Sequence, residues 1–418
     1  MFLKILLPCL LGISSKAAFQ GNYGINFDTR YAQHTQGTPD TASHRHSVEF
    51  TQKAEWNSTY SFVISGRADV ESAYASTPTR YSGDVVKKDS QSFFLRDNYF
   101  QYSKGPIRLK LGYQQVVWGE AFGFYYADIV NPKDLRELGL GDLSRNRLDI
   151  PMLNFQWLAG SSGLQLLYIP KAQNDLLPSV GSEFLKVPSY YVSSLTLSRE
   201  PLSPMTQAEL GARLTYQIGS WDWSIFYLDA YDRFPVLDLR TNPSTYQPEL
   251  IPHPYRLKSS GITVTQAWND WLIRSEIIFK QQRFMNTGSM TSLSQDQADQ
   301  WIGVVGIDLP PVKGWMFQIQ YSEDQTADKE WAFRKKRESL GSLRISRTIN
   351  SDIELEWMYN HSMHDGGYLW QAKASFALDR QFSLDIGMDR FDGRDDSSFG
   401  QYKNASRVFA VLKTYFKK

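Results

Sequence analysis

From about residue 20 onward, apolar and polar residues alternate with a period of two in stretches of about ten, joined in turn by very short and rather long connections. Over residues 211–218, Ala212, Leu214, Tyr216 and Ile218 share one face while Arg213, Thr215 and Gln217 share the other. Ile107, Leu109, Leu111 and Tyr113 alternate likewise with Arg108, Lys110 and Gly112. Ile353, Leu355, Trp357 and Tyr359 alternate with Glu354, Glu356 and Asn360. One face suits hydrocarbon and the other water, as in the strands of a transmembrane β-barrel. A soluble β-sandwich alternates too, so the whole chain must decide.

Turn formers cluster at Asn57-Ser58, Lys104-Gly105-Pro106, 160–163, Gly219-Ser220, Asn269-Asp270, 310–314, 349–351 and Asp379-Arg380. With the N-terminus in the periplasm, these short turns fall on one side of the membrane and predict an all-β, closed antiparallel barrel of about 18 strands, about 16 being the alternative. Aromatics flank several of them: Trp56 and Tyr60, Trp221 and Trp223, Trp268 and Trp271, and Trp315 just after Gly314. A periplasmic girdle belongs there. The last strand aligns Val408, Ala410, Leu412, Thr414 and Phe416 on one face, similar to the closing strand of bacterial outer-membrane barrels, although Lys417-Lys418 run past the aromatic. Closure itself follows from physics, because an open edge in lipid leaves a row of backbone groups without water.

By length, 418 residues could make about two or three soluble domains. Mean hydropathy is −0.41, however, and no run of about 18 apolar residues could span as a helix. Aromatics at 14%, with 23 Tyr and 12 Trp, fit a barrel with two girdles. The first 18 residues read as a secretory signal: Lys4, then the apolar run 5–13, then Ser15-Lys16-Ala17 or Ala18 as the cleavage site, leaving 19–418 as the barrel. Cys9, the single cysteine, lies inside that signal, so no disulfide or thiolate chemistry is expected in the mature chain. The formal net charge of +1 becomes about −1 once Lys4 and Lys16 leave, which gives no reason to expect nucleic acid as a partner.

Between the strand ending near Trp118 and the one starting near Pro151 lie about thirty residues, far more than a hairpin needs. This is the third external loop, in the position of the constriction loop that folds into general porins, a fold-level analogy. Asn131 as cap, Pro132 at the first helical position and Asp134 in the first turn predict a short helix over 133–138. Glu120, Asp128, Asp134, Glu137, Asp142 and Asp149 sit among Lys133, Arg136, Arg145 and Arg147. Opposed charges across a water path would select solutes by charge and dipole; the alternative is a solvated surface loop. The candidates for the constriction, over 119–150 and its approach, are Gln114, Trp118, Glu120, Asp128, Asn131, Asp134 and Arg136, with Trp118 anchoring the loop on the wall. Arg108, Lys110, Arg213, Arg274, Arg344, Glu354, Glu356 and Lys373 are expected to face the lumen. Both signs occur among them, so the charge preference stays open.

The stretch Gly112-Tyr113-Gln114-Gln115-Val116-Val117-Trp118-Gly119-Glu120, followed by Asp128-Ile129-Val130-Asn131-Pro132-Lys133-Asp134-Leu135-Arg136, resembles the signature of a domain-of-unknown-function family of proteobacterial outer-membrane proteins. In that family a Gly-x-Gln ending a strand, a Trp-Gly and an Asn-Pro-x-Asp recur together. The resemblance covers about a tenth of the chain. It implies a porin-like barrel and transport or export, some members being encoded beside exporters of the resistance-nodulation-division type and periplasmic lipoproteins.

Catalysis would need a histidine held by a carboxylate beside a serine or an activated water. The six histidines, His34, His44, His46, His253, His361 and His364, all fall in or near external loops. His361, His364 and Asp365 with Ser362 form the most suggestive group, and His44-x-His46 is weaker. Neither spacing supplies a third ligand or an oxyanion donor. The loop over 171–205, with Pro170, Pro178, Pro188, Pro201 and Pro204 around Leu176-Leu177, reads as a lid.

The sequence therefore points to an outer-membrane channel for a small polar or amphipathic solute, without cofactor, metal or enzymatic activity. The alternatives are an outer-membrane component of a lipid or hydrophobic-product export pathway, and a surface hydrolase. Expected partners are outer-membrane lipid and lipopolysaccharide, the barrel-assembly machinery, a small solute, and periplasmic or inner-membrane exporter components, with homo-oligomers open.

Overall fold

A computed structural model describes residues 19–37, 40–77, 80–124, 126–185, 195–289, 292–327, 329, 331–332 and 334–417. The expected signal over 1–18, and Pro188 of the fourth loop, lie outside the described residues.

Nineteen hydrogen-bonded segments form one sheet. Gln91–Leu95 and Asn98–Lys104 both pair with Tyr60–Glu71 as a single interrupted strand, so the sheet has eighteen staves. All pairings are antiparallel between successive strands, and the sheet closes where Phe19–His34 pairs with Arg407–Lys417, from Gly24 opposite Lys417 to His34 opposite Arg407. No row of backbone donors is left at an open edge.

Each of the eight expected tight turns is present at the end of the barrel where the first strand begins. Asn57 and Asn269 take left-handed φ values of 56° and 51°, the backbone that a tight hairpin matched to strand twist requires. Trp56, Tyr60, Trp221, Trp223, Trp268 and Trp271 are all exposed at this end. Further along, Leu214, Ile218, Ile225 and Ile277 are each more than half exposed, so apolar side chains stand outward. This is the surface of a transmembrane β-barrel, with the polar halves of the strands turned inward.

The long connections gather at the opposite end. One carries two short helices, Ala73–Ser76 and Gly83–Asp89. Strands Val236–Thr241 and Pro248–His253, with Thr196–Leu197, form a separate three-stranded sheet there. Two small apolar cores join these loops. Leu177, Val180, Leu195 and Leu197 pack with Leu237 and Leu250. Phe184 packs with Leu369, Phe391 and Ala405. The described parts of the loop after residue 170 are thus packed against the neighbouring long connections.

One strand break positions the third loop. Between Leu95 and Asn98 the fourth strand leaves the ladder, and the Asn98 side chain takes over, its Nδ2 donating to Ser65 O and its Oδ1 accepting from Ser65 N at 3.3 Å. Gly112 lies opposite with φ 131°, its position so tight that a Cβ would stand 2.1 Å from Asn98 O. Three residues later the chain leaves the wall and enters the lumen.

Candidate functional site: the loop seated in the lumen

The third loop runs from residue 115 to 149 and has two dissimilar legs. Its first leg is apolar. Val116, Trp118, Ala127, Ile129 and Val130 pack on an apolar patch of the inner wall that includes Phe226, Leu228, Ile278, Ile302 and Val304. Trp118 is fully buried with its ring centroid 5.2 Å from that of Phe226, and its indole N–H donates to Gln165 Oε1 at 2.9 Å. Burying such a ring contributes a few kcal/mol, roughly 25 cal/mol per Å².

The far end of this leg is fastened to the strand Trp271–Ser289. The Glu276 carboxylate accepts from the backbone N–H of Glu120, of Ala121 at 2.8 Å and of Ala127 at 3.1 Å. Next along the wall, Phe122 N donates to Gln320 Oε1 at 3.1 Å, Gln320 Nε2 returns a bond to Phe122 O, and Tyr126 pairs with Ser322 Oγ at 2.5 Å. A loop carbonyl or N–H drawn from water needs such a partner, and these wall side chains supply it.

The second leg is charged and reaches the seam where the barrel closes. Glu137 receives Arg30 at 3.0 Å, Arg407 at 2.8 Å and Arg45. Burial pushes the Glu137 carboxyl up, but Arg30, Arg45 and Arg407 outweigh it and hold the group well below the usual carboxylate range. Arg145 meets Asp28, and Arg96 of the strand break bridges Asp149 at 3.1 Å. One loop therefore contacts strands from both sides of the lumen.

The expected helix over 133–138 is replaced by other structure. Lys133 and Asp134 make isolated bridges to Arg147 and Leu176, and residues 136–139 form a turn. A single helical turn occurs later, Leu143–Asn146, with the Asp142 side chain accepting from Ser144 N. The physical reason lies in Asn131, whose amide is engaged elsewhere. Its Nδ2 donates to Gln114 O at 3.0 Å and Leu148 O at 2.8 Å, and its Oδ1 accepts from Val116 N at 2.8 Å. Asn131 ties both ends of the loop together instead of capping a helix.

The sequence candidates divide by burial. Gln114, Trp118, Asp128 and Asn131 are buried, between 0% and 4% exposed, and hold the loop's own frame rather than facing water. Gln114 Nε2 donates to Met152 O at 3.2 Å, and Asp128 Oδ2 takes Arg147 Nη2 at 2.5 Å. Asp134 and Arg136 form a forked pair at 2.7 and 2.9 Å. Glu120 alone of the seven keeps an exposed side chain, 41% accessible and 3.7 Å from Arg213. Burial raises its carboxyl from the ordinary value, with Arg213 pulling the other way.

The expected wall residues alternate with outward apolar neighbours. Lys110 lies over the Tyr99 ring at 4.4 Å, Arg274 pairs with Asp308 at 2.6 Å, and Glu356 joins Arg344 and Lys373, the latter at 3.3 Å. Arg108 and Glu354 are exposed on the same faces as Lys110 and Glu356. Sequence reasoning missed the wall partners Glu276, Gln320, Arg30, Arg45 and Arg407. Their only signal was a charged or amide residue at an inward position.

Of the histidine group only Ser362 and Asp365 come together, by a side-chain hydrogen bond, and among the described residues no histidine is bonded to that carboxylate. Asp365 accepts from Lys335 Nζ at 3.0 Å, Gly367 N at 3.1 Å, and Ser398 N and Oγ at 2.8 Å, bracing its loop. His361 instead stacks along Tyr359 on the outward face. His44 and His46 lie 4.7 Å apart by ring centroids, beside Ser72 and Thr29. Among the described residues no three His, Cys, Asp or Glu side chains group as metal ligands.

A closed eighteen-stranded barrel with a loop lodged in its lumen defines a porin-like transmembrane barrel. The chain belongs to the DUF1302 family, described as proteins of unknown function, whose match spans residues 20–404. No curated protein sequence matches it. Solved structures share the fold at very low identity. OccAB1 of Acinetobacter baumannii superposes with a TM-score of 0.58 at 7% identity, covering 96% of that chain and 95% of this one. OccK8 (OprE) of Pseudomonas aeruginosa gives 0.55 at 7%, covering 98% and 96%. The outer membrane protein opdK of the same organism gives 0.54 at 8%, covering 99% and 96%.

Proposed function

We propose that this protein is an outer-membrane channel of a Gram-negative bacterium, passing small polar or amphipathic solutes through a lumen that the third loop narrows. One observation carries the proposal: the loop is clasped at Glu276 on one wall and at Glu137 on the seam, so it narrows the lumen as a fixed part. An apolar outer surface and a charged inner wall fit the same role, and the porin-like fold of the neighbours agrees with it. Insertion would involve the barrel-assembly machinery and lipopolysaccharide as surrounding lipid. Glu120 with Arg213 would face the path left open.

Conductance in planar bilayers tests this. Wild-type barrels should give stable steps, and Glu276→Gln, which removes a carboxylate from three backbone donors, should give larger and noisier ones. Silence of both, in protein shown to be folded, would overturn the channel. That outcome would favour a second reading, an outlet for hydrophobic cargo delivered by a periplasmic or inner-membrane exporter. The observation behind it is the apolar inner wall beneath the loop, which would line the path once the loop is lifted from it.

A further inference from the structure

Away from the clasp, a cavity of about 200 Å³ opens where the third loop meets strands Trp221–Tyr231, Arg256–Trp268 and Trp271–Ser289. Part of its lining is apolar or aromatic, from Leu135, Leu228, Leu257, Tyr126, Tyr231 and Phe234. Most of the charged groups around it are already engaged. Arg233 forks onto Glu209 at 2.9 and 2.7 Å, Arg283 onto Asp232 at 2.5 and 3.2 Å, and Asp175 accepts from Lys133 N at 2.7 Å.

Two lining groups stand out. Asp128 Oδ2 is held by Arg147, but its Oδ1 is buried with no hydrogen-bond partner among the described residues. Lys280, inward on its strand, has no ion pair or hydrogen bond among the described residues. The acids nearest in charge effect are taken: Asp232 by Arg283, and Asp324 by Arg334 at 2.7 Å and Gln300 at 2.8 Å. A buried acceptor and an ammonium left open on one cavity are a mismatch that a ligand can resolve. The lining holds one more cation than anion, which favours a ligand that brings a carboxylate to the cavity. A cavity of about 150 Å³ admits benzene, so this one has room for a body of that size with small head groups.

We propose that this cavity binds a small carboxylate bearing a hydroxyl or ammonium donor on an apolar body, the carboxylate on Lys280 and the donor on Asp128 Oδ1. The inference goes beyond conduction, and its test needs no current. Isothermal titration on detergent-refolded protein would compare leucine, 2-hydroxy-4-methylpentanoate, 4-methylpentanoate and isopentylamine, which share one apolar body. Leucine or the hydroxy acid should bind, and which of them binds tells ammonium from hydroxyl. The plain acid should bind at least tenfold more weakly and the amine not at all. Lys280→Met should lose at least tenfold in affinity, and Asp128→Asn should erase the advantage of the donor. Lys280→Gln, which keeps the polar stem, stands in if Lys280→Met fails to fold by heat-modifiable mobility, and the wild-type difference between the donor-bearing acids and the plain acid stands in for Asp128→Asn. No binding by any probe, binding of the amine, or wild-type affinity in the Lys280 variants would overturn the proposal.

Discussion

Arg407 in the last strand and Glu137 in the third loop meet at 2.8 Å, on the seam where the first and last strands pair. Arg30 of the first strand and Arg45 of the second close on the same carboxylate. The tip of the loop thus sits where barrel closure is completed, so its seating and the closing of the sheet are physically joined.

Glu137→Gln should therefore do more than loosen a loop. Removing one partner of a buried charge cluster typically costs about 3–5 kcal/mol, because the remaining charges lose their counterion. The expected result is a lower unfolding temperature in heat-modifiable gel mobility, with faster proteolysis near residue 137. The carboxyl is held below its ordinary range, so its contribution is fully present above the unfolded value and is lost only as pH falls through the lower folded value. Loop protection should survive acidification through the usual carboxylate range and fail below it. Loss of protection above that range would contradict the assignment.

Asn131 makes a separate prediction, since its amide serves three backbone groups and nothing else. Asn131→Asp keeps the shape but removes both donors, leaving Gln114 O and Leu148 O unpaired. A buried group left unpaired costs about 1–3 kcal/mol. Folded yield after refolding from urea should drop, with the urea midpoint shifted down; an unchanged midpoint would show that water replaces the amide.

Much of this architecture was legible because one period governs it. Alternation at 211–218 or 107–113 follows directly from hydrocarbon outside and water inside, and tight turns betray themselves by Asn and Gly. The lumen was less legible. A wall serine or glutamate reads the same whether it faces water or a loop, so Glu276 and Gln320 carried no mark of their partners. Asn131 misled for a related reason: its local spacing matched a cap, while its actual bonds reach residues 114 and 148. An apolar patch such as Phe226, Ile278 and Val304 also runs against the expectation of a uniformly polar lumen, and it exists because Trp118 and its neighbours cover it.

Gly112→Ala tests the strand break. The left-handed φ and the 2.1 Å approach to Asn98 O leave no place for a Cβ, and backbone strain of this kind costs about 1–3 kcal/mol before any displacement. Asn98 would be pushed from Ser65, which it seals. Slower refolding and a lower unfolding temperature are expected, whereas Gly141→Ala, also at positive φ but with nothing near its Cβ, should be milder. Equal effects at the two sites would mean that φ alone, and not the seal at Asn98, sets the cost.

Glu120 is the constriction candidate with an exposed carboxylate, and its consequence is electrical. Standing 3.7 Å from Arg213, it is paired directly with that cation, and its exposed carboxylate borders whatever water path the loop leaves. At close quarters a single charge biases a narrow path strongly, and reversing it biases the path the other way. Reversal potentials in a salt gradient should therefore move toward anions in Glu120→Lys, by more than in Glu354→Lys, whose carboxylate is not one of those tied to the loop. Because burial raises the Glu120 carboxyl, wild-type channels should lose part of that increment of cation preference as pH falls, one charge against the two of Glu120→Lys, with the loss centred above the carboxyl's ordinary value. The Glu120→Gln channel should show no such titration. If it titrates like wild type, the selectivity belongs to another group, with the Glu356 cluster of Arg344 and Lys373 next in line.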